Sequence, residues 1–162
     1  ALSSRNNYLT QTEKKDASII YKYLNEIADQ LKKIHQETFN DISKSTSIIC
    51  KEYKNKFPLI DTNIGRWNVS PTCQLAKYKP NNFYENIHCD VGKTCRNRIF
   101  AWMIYLNDIK VGGGTHFVHQ EFTTKPISGD LYIWPAGWTH MHVGVNAPHE
   151  TKYILTGWVE YV

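Results

Sequence analysis

The feature that most constrains this chain is the change in texture at Pro58. After it, β-branched and aromatic residues take over, and Gly, Pro and Asn punctuate the sequence at short intervals. Runs of this kind between turn residues read as short strands. They fall near 72–79, 86–90, 98–107, 115–120, 121–125, 130–134, 139–145 and 151–161. Eight short strands predict a mainly β fold, a double-stranded β-helix (jelly roll) or a related barrel. Within 98–107, Ile99, Ala101, Met103 and Tyr105 share one face, and Phe100, Trp102, Ile104 and Leu106 share the other. Both faces are apolar, as expected of a strand between a pocket and supporting helices.

Ahead of Pro58 the period is helical. Thr10-Gln11-Thr12-Glu13 is a capping-box pattern, and Ile20, Leu24, Ile27, Leu31 and Ile34 recur at spacings of four and three. A second helical pattern covers about 42–53 and ends at Pro58. The expected organisation is one domain over 1–162, with 1–57 as helical support and 58–162 as the jelly-roll core. At 162 residues such a domain buries roughly 70% of the surface its unfolded chain exposes, so it needs no disulfide or structural metal.

The net charge of +4 is mild and no basic run tracks phosphates, which predicts no nucleic-acid partner. Apolar runs of a few residues predict no membrane span. The triple glycine 112–114 lacks a following Gly-Lys-Ser/Thr and so reads as a tight turn rather than a phosphate loop. Cys50, Cys73, Cys89 and Cys95 form no CxxC pair or regular framework, which predicts reduced thiols and a cytoplasmic location.

The chemistry-bearing stretch is Asn86-Ile87-His88-Cys89-Asp90-Val91-Gly92. In an extended strand His88 and Asp90 point to one face and Cys89 to the other, which makes Cys89 a packing residue. An imidazole and a carboxylate together are two of the three ligands of the 2-His-1-carboxylate triad that binds Fe(II). Late in the chain, His140 and His142 follow a Pro-Gly turn, with Lys152 beyond them. Strand alternation puts both histidines on one face, so periodicity leaves either available as the third ligand. His35, His116, His119 and His149 read as ordinary surface or core residues.

The ordered set resembles the Fe(II)- and 2-oxoglutarate-dependent oxygenases of the prolyl 4-hydroxylase-like group. It runs from Gln74-Leu75-Ala76-Lys77-Tyr78 through His88-x-Asp90, Arg98 and Tyr105-Leu106-Asn107. It continues with Gly113-Gly114-Thr115-His116-Phe117, Gly129-Asp130, Trp134-Pro135, the distal histidine, Lys152 and Trp158. The family's spacing of about ten residues from distal histidine to basic residue implies that His142 completes the metal site and that Lys152 holds the far carboxylate of 2-oxoglutarate. The resemblance also implies Tyr78, Tyr105 or both as phenols beside that carboxylate, Thr156 as a further cosubstrate contact, and Trp158 on the pocket wall. Lysine instead of the commoner arginine, and Ile154 where a small hydroxyl residue is usual, are departures from the pattern.

The implied cofactors are Fe(II), 2-oxoglutarate and O2, with ascorbate as a reductant. Asp90 favours hydroxylation over halogenation, since related halogenases lack the carboxylate. The expected substrate is a prolyl or other peptidyl residue, gripped by loops 79–86, 91–97 and 123–128; a free amino acid or small metabolite is the alternative partner. Two rivals are a non-catalytic jelly-roll binding module and a cupin-like enzyme that uses no 2-oxoglutarate.

Overall fold

The computed structural model describes residues 50–63 and 65–162, together with single helical positions at 37, 40, 41, 44 and 48. The capping box at Thr10 and the apolar stripe from Ile20 to Ile34 lie outside the described residues. Packing divides the chain into two compact units, Ala1–Lys44 and Ser45–Val162. In the first, the described residues are helical. The second holds everything below.

A helix, α1, runs through 50–56, with the Phe57 amide still bonded to the Tyr53 carbonyl. Pro58 then stops it, because proline forces the preceding residue away from helical geometry. A short helix follows, α2 (Ile60–Asn63). The strands are β1 (Trp67–Tyr78), β2 (Arg98–Tyr105), β3 (Thr115–Phe117), β4 (Phe122–Thr123), β5 (Leu131–Pro135), β6 (His142–Gly144) and β7 (Lys152–Tyr161). They form a four-stranded sheet in the order β1-β7-β2-β5 and a three-stranded sheet in the order β4-β3-β6, with antiparallel pairing throughout. This is the jelly-roll architecture expected.

β2 carries two apolar faces, as its sequence required. Ala101, Met103 and Tyr105 join Phe117, Trp134, Ile154 and Trp158 in the core between the sheets. Phe100 packs edge-on against Tyr53 of α1 (centroids 4.9 Å) and Trp67 (5.9 Å) on the other side. Trp102 is fully buried there, and a Cβ at Gly157 on the neighbouring strand would run into its ring. β1 is amphipathic: Ala76 and Tyr78 pack inward, while Leu75 and Lys77 face solvent.

Four expected boundaries shift. β1 begins at Trp67 and runs through Pro71, with a register irregularity between Val69 and Cys73. Proline has no N–H for a ladder, but β1 is an edge strand and an irregularity there tolerates it. The segment expected as a strand over 86–90 is a loop that touches the sheet through one bridge, His88 to His142. The strand expected over 139–145 is split: Trp138–His140 is a 3-10 turn, and the strand starts at His142. β3 and β4 are shorter than their sequence runs, since a tight turn occupies 118–121, where Glu121 adopts φ 50°.

Candidate active site

The inner face of the four-stranded sheet floors a cavity of about 300 Å³ that holds His88, Asp90, His142, Lys152, Tyr78, Thr156 and Trp158. Within it, ligand-type atoms of His88, Asp90 and His142 all lie within 4.8 Å of one another. The three come from three settings: His88 from a single bridge, Asp90 from the loop after it, and His142 from the first residue of β6.

Each histidine is oriented by the carbonyl two residues before it. His88 Nδ1 lies 3.0 Å from the Asn86 carbonyl, and His142 Nδ1 lies 2.9 Å from the His140 carbonyl. A carbonyl only accepts, so Nδ1–H donates in both rings and the Nε2 lone pair is left for a metal. The imidazole planes stand 4.3 Å apart between centroids, and the backbones exchange two hydrogen bonds, 3.0 and 2.8 Å. Burial pushes the His142 imidazole below its usual range, opposed by the His140 carbonyl and the Asp90 carboxylate. The neutral ring this favours is the ligating form.

Asp90 is held from four directions. Trp158 donates its indole N–H to Oδ1 at 3.0 Å, and Trp134 donates to Oδ2 at 3.3 Å. The Asp90 amide bonds to the Ala136 carbonyl at 2.9 Å, and Arg98 Nη1 donates to the Asp90 backbone carbonyl at 3.2 Å. The guanidinium of Arg98 stacks on the Trp158 ring, 3.6 Å from its centroid, with Glu160 Oε1 3.6 Å from Nε. Oδ2 is 3.7 Å from His142 Nε2, so this oxygen faces the histidine pair.

Lys152 opens β7 and is 3% exposed, with Nζ donating to the Gly113 carbonyl at 2.9 Å and standing 5.1 Å from the Tyr78 ring centroid. Burial, with no carboxylate partner among the described residues, pushes its ammonium down to about 8. The glycine run makes this approach possible. Gly112 and Gly113 adopt φ 70° and 73°, and a Cβ on Gly113 would sit 2.8 Å from Ile109 Cγ2. The tight turn expected at 112–114 is therefore present, and it presents a carbonyl to Lys152.

The donor set fits Fe(II), which takes imidazole and carboxylate ligands, and a desolvated lysine in the same cavity suits a dicarboxylate cosubstrate. The 2OG-Fe(II) oxygenase superfamily model matches residues 73–160, more than half of the chain. The chain belongs to this superfamily. It is an Fe(II)- and 2-oxoglutarate-dependent dioxygenase, with O2 as the other cosubstrate. A pantoate-β-alanine ligase model matches residues 1–65, a minority of the chain, and shows no family.

Among solved structures, the oxygenase is similar to a viral collagen prolyl hydroxylase from Paramecium bursaria Chlorella virus-1 in its 2OG complex. Identity is 22% over 75% of this chain and 74% of that one, with a TM-score of 0.57. A 2OG-Fe(II) oxygenase family oxidoreductase from Burkholderia pseudomallei matches at 16% identity and TM-score 0.50, over 60% and 47% of the two chains. A Pseudomonas putida prolyl-4-hydroxylase shares 25% identity over 55% of this chain and 51% of its own, with a TM-score of 0.47. The first two likenesses show the fold. No curated protein matches the chain in sequence.

The structure brings together most of the residues singled out in the sequence, with three differences. Tyr105 is fully buried behind the wall, its hydroxyl 2.6 Å from Thr124 Oγ1, and burial raises its phenol above the usual range. Cys89 lines the cavity instead of packing on the far side, because 86–90 is a loop without strand alternation. His140 sits in the 3-10 turn and contributes its carbonyl; burial, with His119 nearby, lowers its imidazole.

Trp134 and the position of Arg98 were not legible as site features. Arg98 has the parity of Phe100, which packs away from the cavity against Tyr53 and Trp67. A register shift between Arg98 and Phe100 turns it inward.

Proposed function

We propose that His88, Asp90 and His142 hold the Fe(II), that Lys152 anchors the far carboxylate of 2-oxoglutarate, and that the oxygenase hydroxylates a prolyl or other peptidyl residue. The observation that carries this is the clustering of three ligand-type atoms within 4.8 Å in the same cavity as a buried lysine. When bound, Fe(II) and 2-oxoglutarate supply the oxidising chemistry: O2 is consumed, one oxygen atom leaves in succinate with release of CO2, and the other becomes the substrate hydroxyl.

The chain's own groups bind and orient. His88 and His142 present Nε2, with their tautomers set by the two carbonyls. Asp90 presents Oδ2. Lys152, as its ammonium, exchanges a neutral carbonyl partner for a carboxylate, a stronger charge-assisted bond. Tyr78, whose phenol is raised by burial and by nearby Tyr84, stays protonated beside that carboxylate and is available as a donor. Thr156 and Trp158 share the face of β7 with Lys152 and close the wall between the two ends.

A peptidyl substrate is supported by the mouth of the cavity. Tyr84, half exposed, lies 4.4 Å from the His88 ring between centroids, on the 79–86 loop. The solved neighbour of highest TM-score reported above is named a collagen prolyl hydroxylase. All four cysteines are free thiols, which supports a reducing, cytoplasmic setting. The test is succinate release with Fe(II), ascorbate and 2-oxoglutarate, over panels of proline-containing peptides and free amino acids. Turnover only with a small molecule overturns the peptidyl assignment. Absence of iron-dependent 2-oxoglutarate consumption overturns the ligand assignment.

A further inference from the structure

We infer that Trp134 is a positioning residue for the metal centre: its indole N–H fixes the plane of the Asp90 carboxylate and so holds one oxygen facing the histidines. The inference rests on the proposed ligand set. Asp90 lies in a loop, where no ladder of hydrogen bonds fixes its side chain. Its orientation must come from neighbours, and the end of β5 supplies two of them. The Ala136 carbonyl accepts from the amides of both Asp90 (2.9 Å) and Val91 (3.0 Å), which pins the backbone. Two residues earlier, Trp134 Nε1 reaches Oδ2 at 3.3 Å.

Oδ2 is the oxygen 3.7 Å from His142 Nε2, while Oδ1 is occupied by the Trp158 indole at 3.0 Å. A carboxylate oxygen has two lone pairs, so Oδ2 can accept from Trp134 and still offer its second pair to a metal. The same indole packs edge-on against the His142 ring, with centroids 5.2 Å apart and planes at 73°. Trp134 thus touches two of the three ligands. It is itself fixed, 7% exposed in the core and set edge-on to Phe117 at 5.2 Å. A quarter turn of the Asp90 carboxylate about its Cβ–Cγ bond would break both indole bonds, and without the Trp134 bond only the one on the oxygen turned away from the histidines resists it.

The test is anaerobic titration of the metal-free full chain with Co(II), following the visible d–d absorption of the bound ion. Wild type, Trp134→Phe, and a protein carrying β-(3-benzothienyl)alanine at position 134 are compared; the last replaces the N–H by sulfur within the same ring. Groups that orient ligands typically set metal affinity by 10–100-fold. Both altered proteins are therefore expected to bind Co(II) at least about tenfold more weakly, with a changed band shape. Wild-type affinity and spectrum in the benzothienyl protein overturn the inference, since ring packing would then suffice. Failure of the wild type to bind Co(II) overturns the ligand set itself, a separate result.

Discussion

The two ends of the cavity are built on opposite principles. The Lys152 end sits on β7, between β1 and β2 in the main sheet, with Tyr78 directly across the ladder. The His88–Asp90–His142 end is assembled from a bridge, a loop and the first residue of a three-residue strand. At the first end the backbone does the positioning and the side chain has few partners. At the second, side chains and stray carbonyls position one another. Precision at a metal centre therefore comes here from a mesh of hydrogen bonds around a poorly laddered segment.

Asp90→Ala is the harshest way to break this comparison. It removes a proposed ligand and strands the Trp134 and Trp158 indole donors, and succinate release is expected to fall below detection. Circular dichroism is expected to stay native, because Asp90 lies outside every strand ladder. Appreciable iron-dependent turnover in this variant means the metal end is not where the three residues meet.

At the other end, Lys152→Ala removes the ammonium proposed to pair with the buried far carboxylate of 2-oxoglutarate. Such truncations cost about 2–5 kcal/mol, which corresponds to a rise in the KM for 2-oxoglutarate of about 30-fold or more. The metal end is untouched, so Co(II) affinity is expected to stay within twofold. Equal damage to both would erase the distinction between the ends.

Lys152 also sets a pH dependence. Its folded value of about 8 lies below the ordinary lysine value of 10.5, so the unfolded chain binds more protons between these limits. The penalty for burying the ammonium is fully present below about pH 8 and is relieved as pH rises toward 10.5, so this residue adds stability with rising pH in that window. Cosubstrate binding runs the other way, because it needs the ammonium. Affinity for 2-oxoglutarate is expected to fall by up to about tenfold per pH unit above about 8. Lys152→Arg, which stays charged, is expected to flatten that profile in isothermal titration.

How much of this was legible follows the same division. Strand texture after Pro58 gave the jelly roll, and strand parity on β7 put Lys152, Thr156 and Trp158 on one face, as found. Periodicity failed where the backbone leaves the ladder. It treated 86–90 as a strand, which placed Cys89 outside the cavity, and it put His140 on a face shared with His142, whereas a 3-10 turn intervenes. It also had no means to see the register shift that turns Arg98 inward, or Trp134 reaching Asp90 across 44 residues of sequence. Candidate ligands show in residue type and spacing; the contacts that orient their side chains depend on tertiary approach, which single-sequence patterns do not carry.

The contrast also predicts a difference in local stability, the smallest effect but the most direct. β7 is flanked on both sides, by β1 and β2, so exchange of its amides with solvent follows deep opening of the sheet. The amides of His88, Asp90 and Val91 depend on single bonds to the His142 and Ala136 carbonyls, and small local openings expose them. A metal that binds the assembled site and not the opened loop stabilises it by RT ln(1 + [L]/Kd). With Mn(II) at ten times its Kd this is about 1.4 kcal/mol, roughly a tenfold slowing of exchange wherever opening releases the ion. Hydrogen-exchange mass spectrometry is expected to show that slowing over 86–92 and little change in β7 peptides over the same interval. Uniform protection of both segments would mean that the loop and the sheet open together, and that the metal end is as firmly built as the strand beside it.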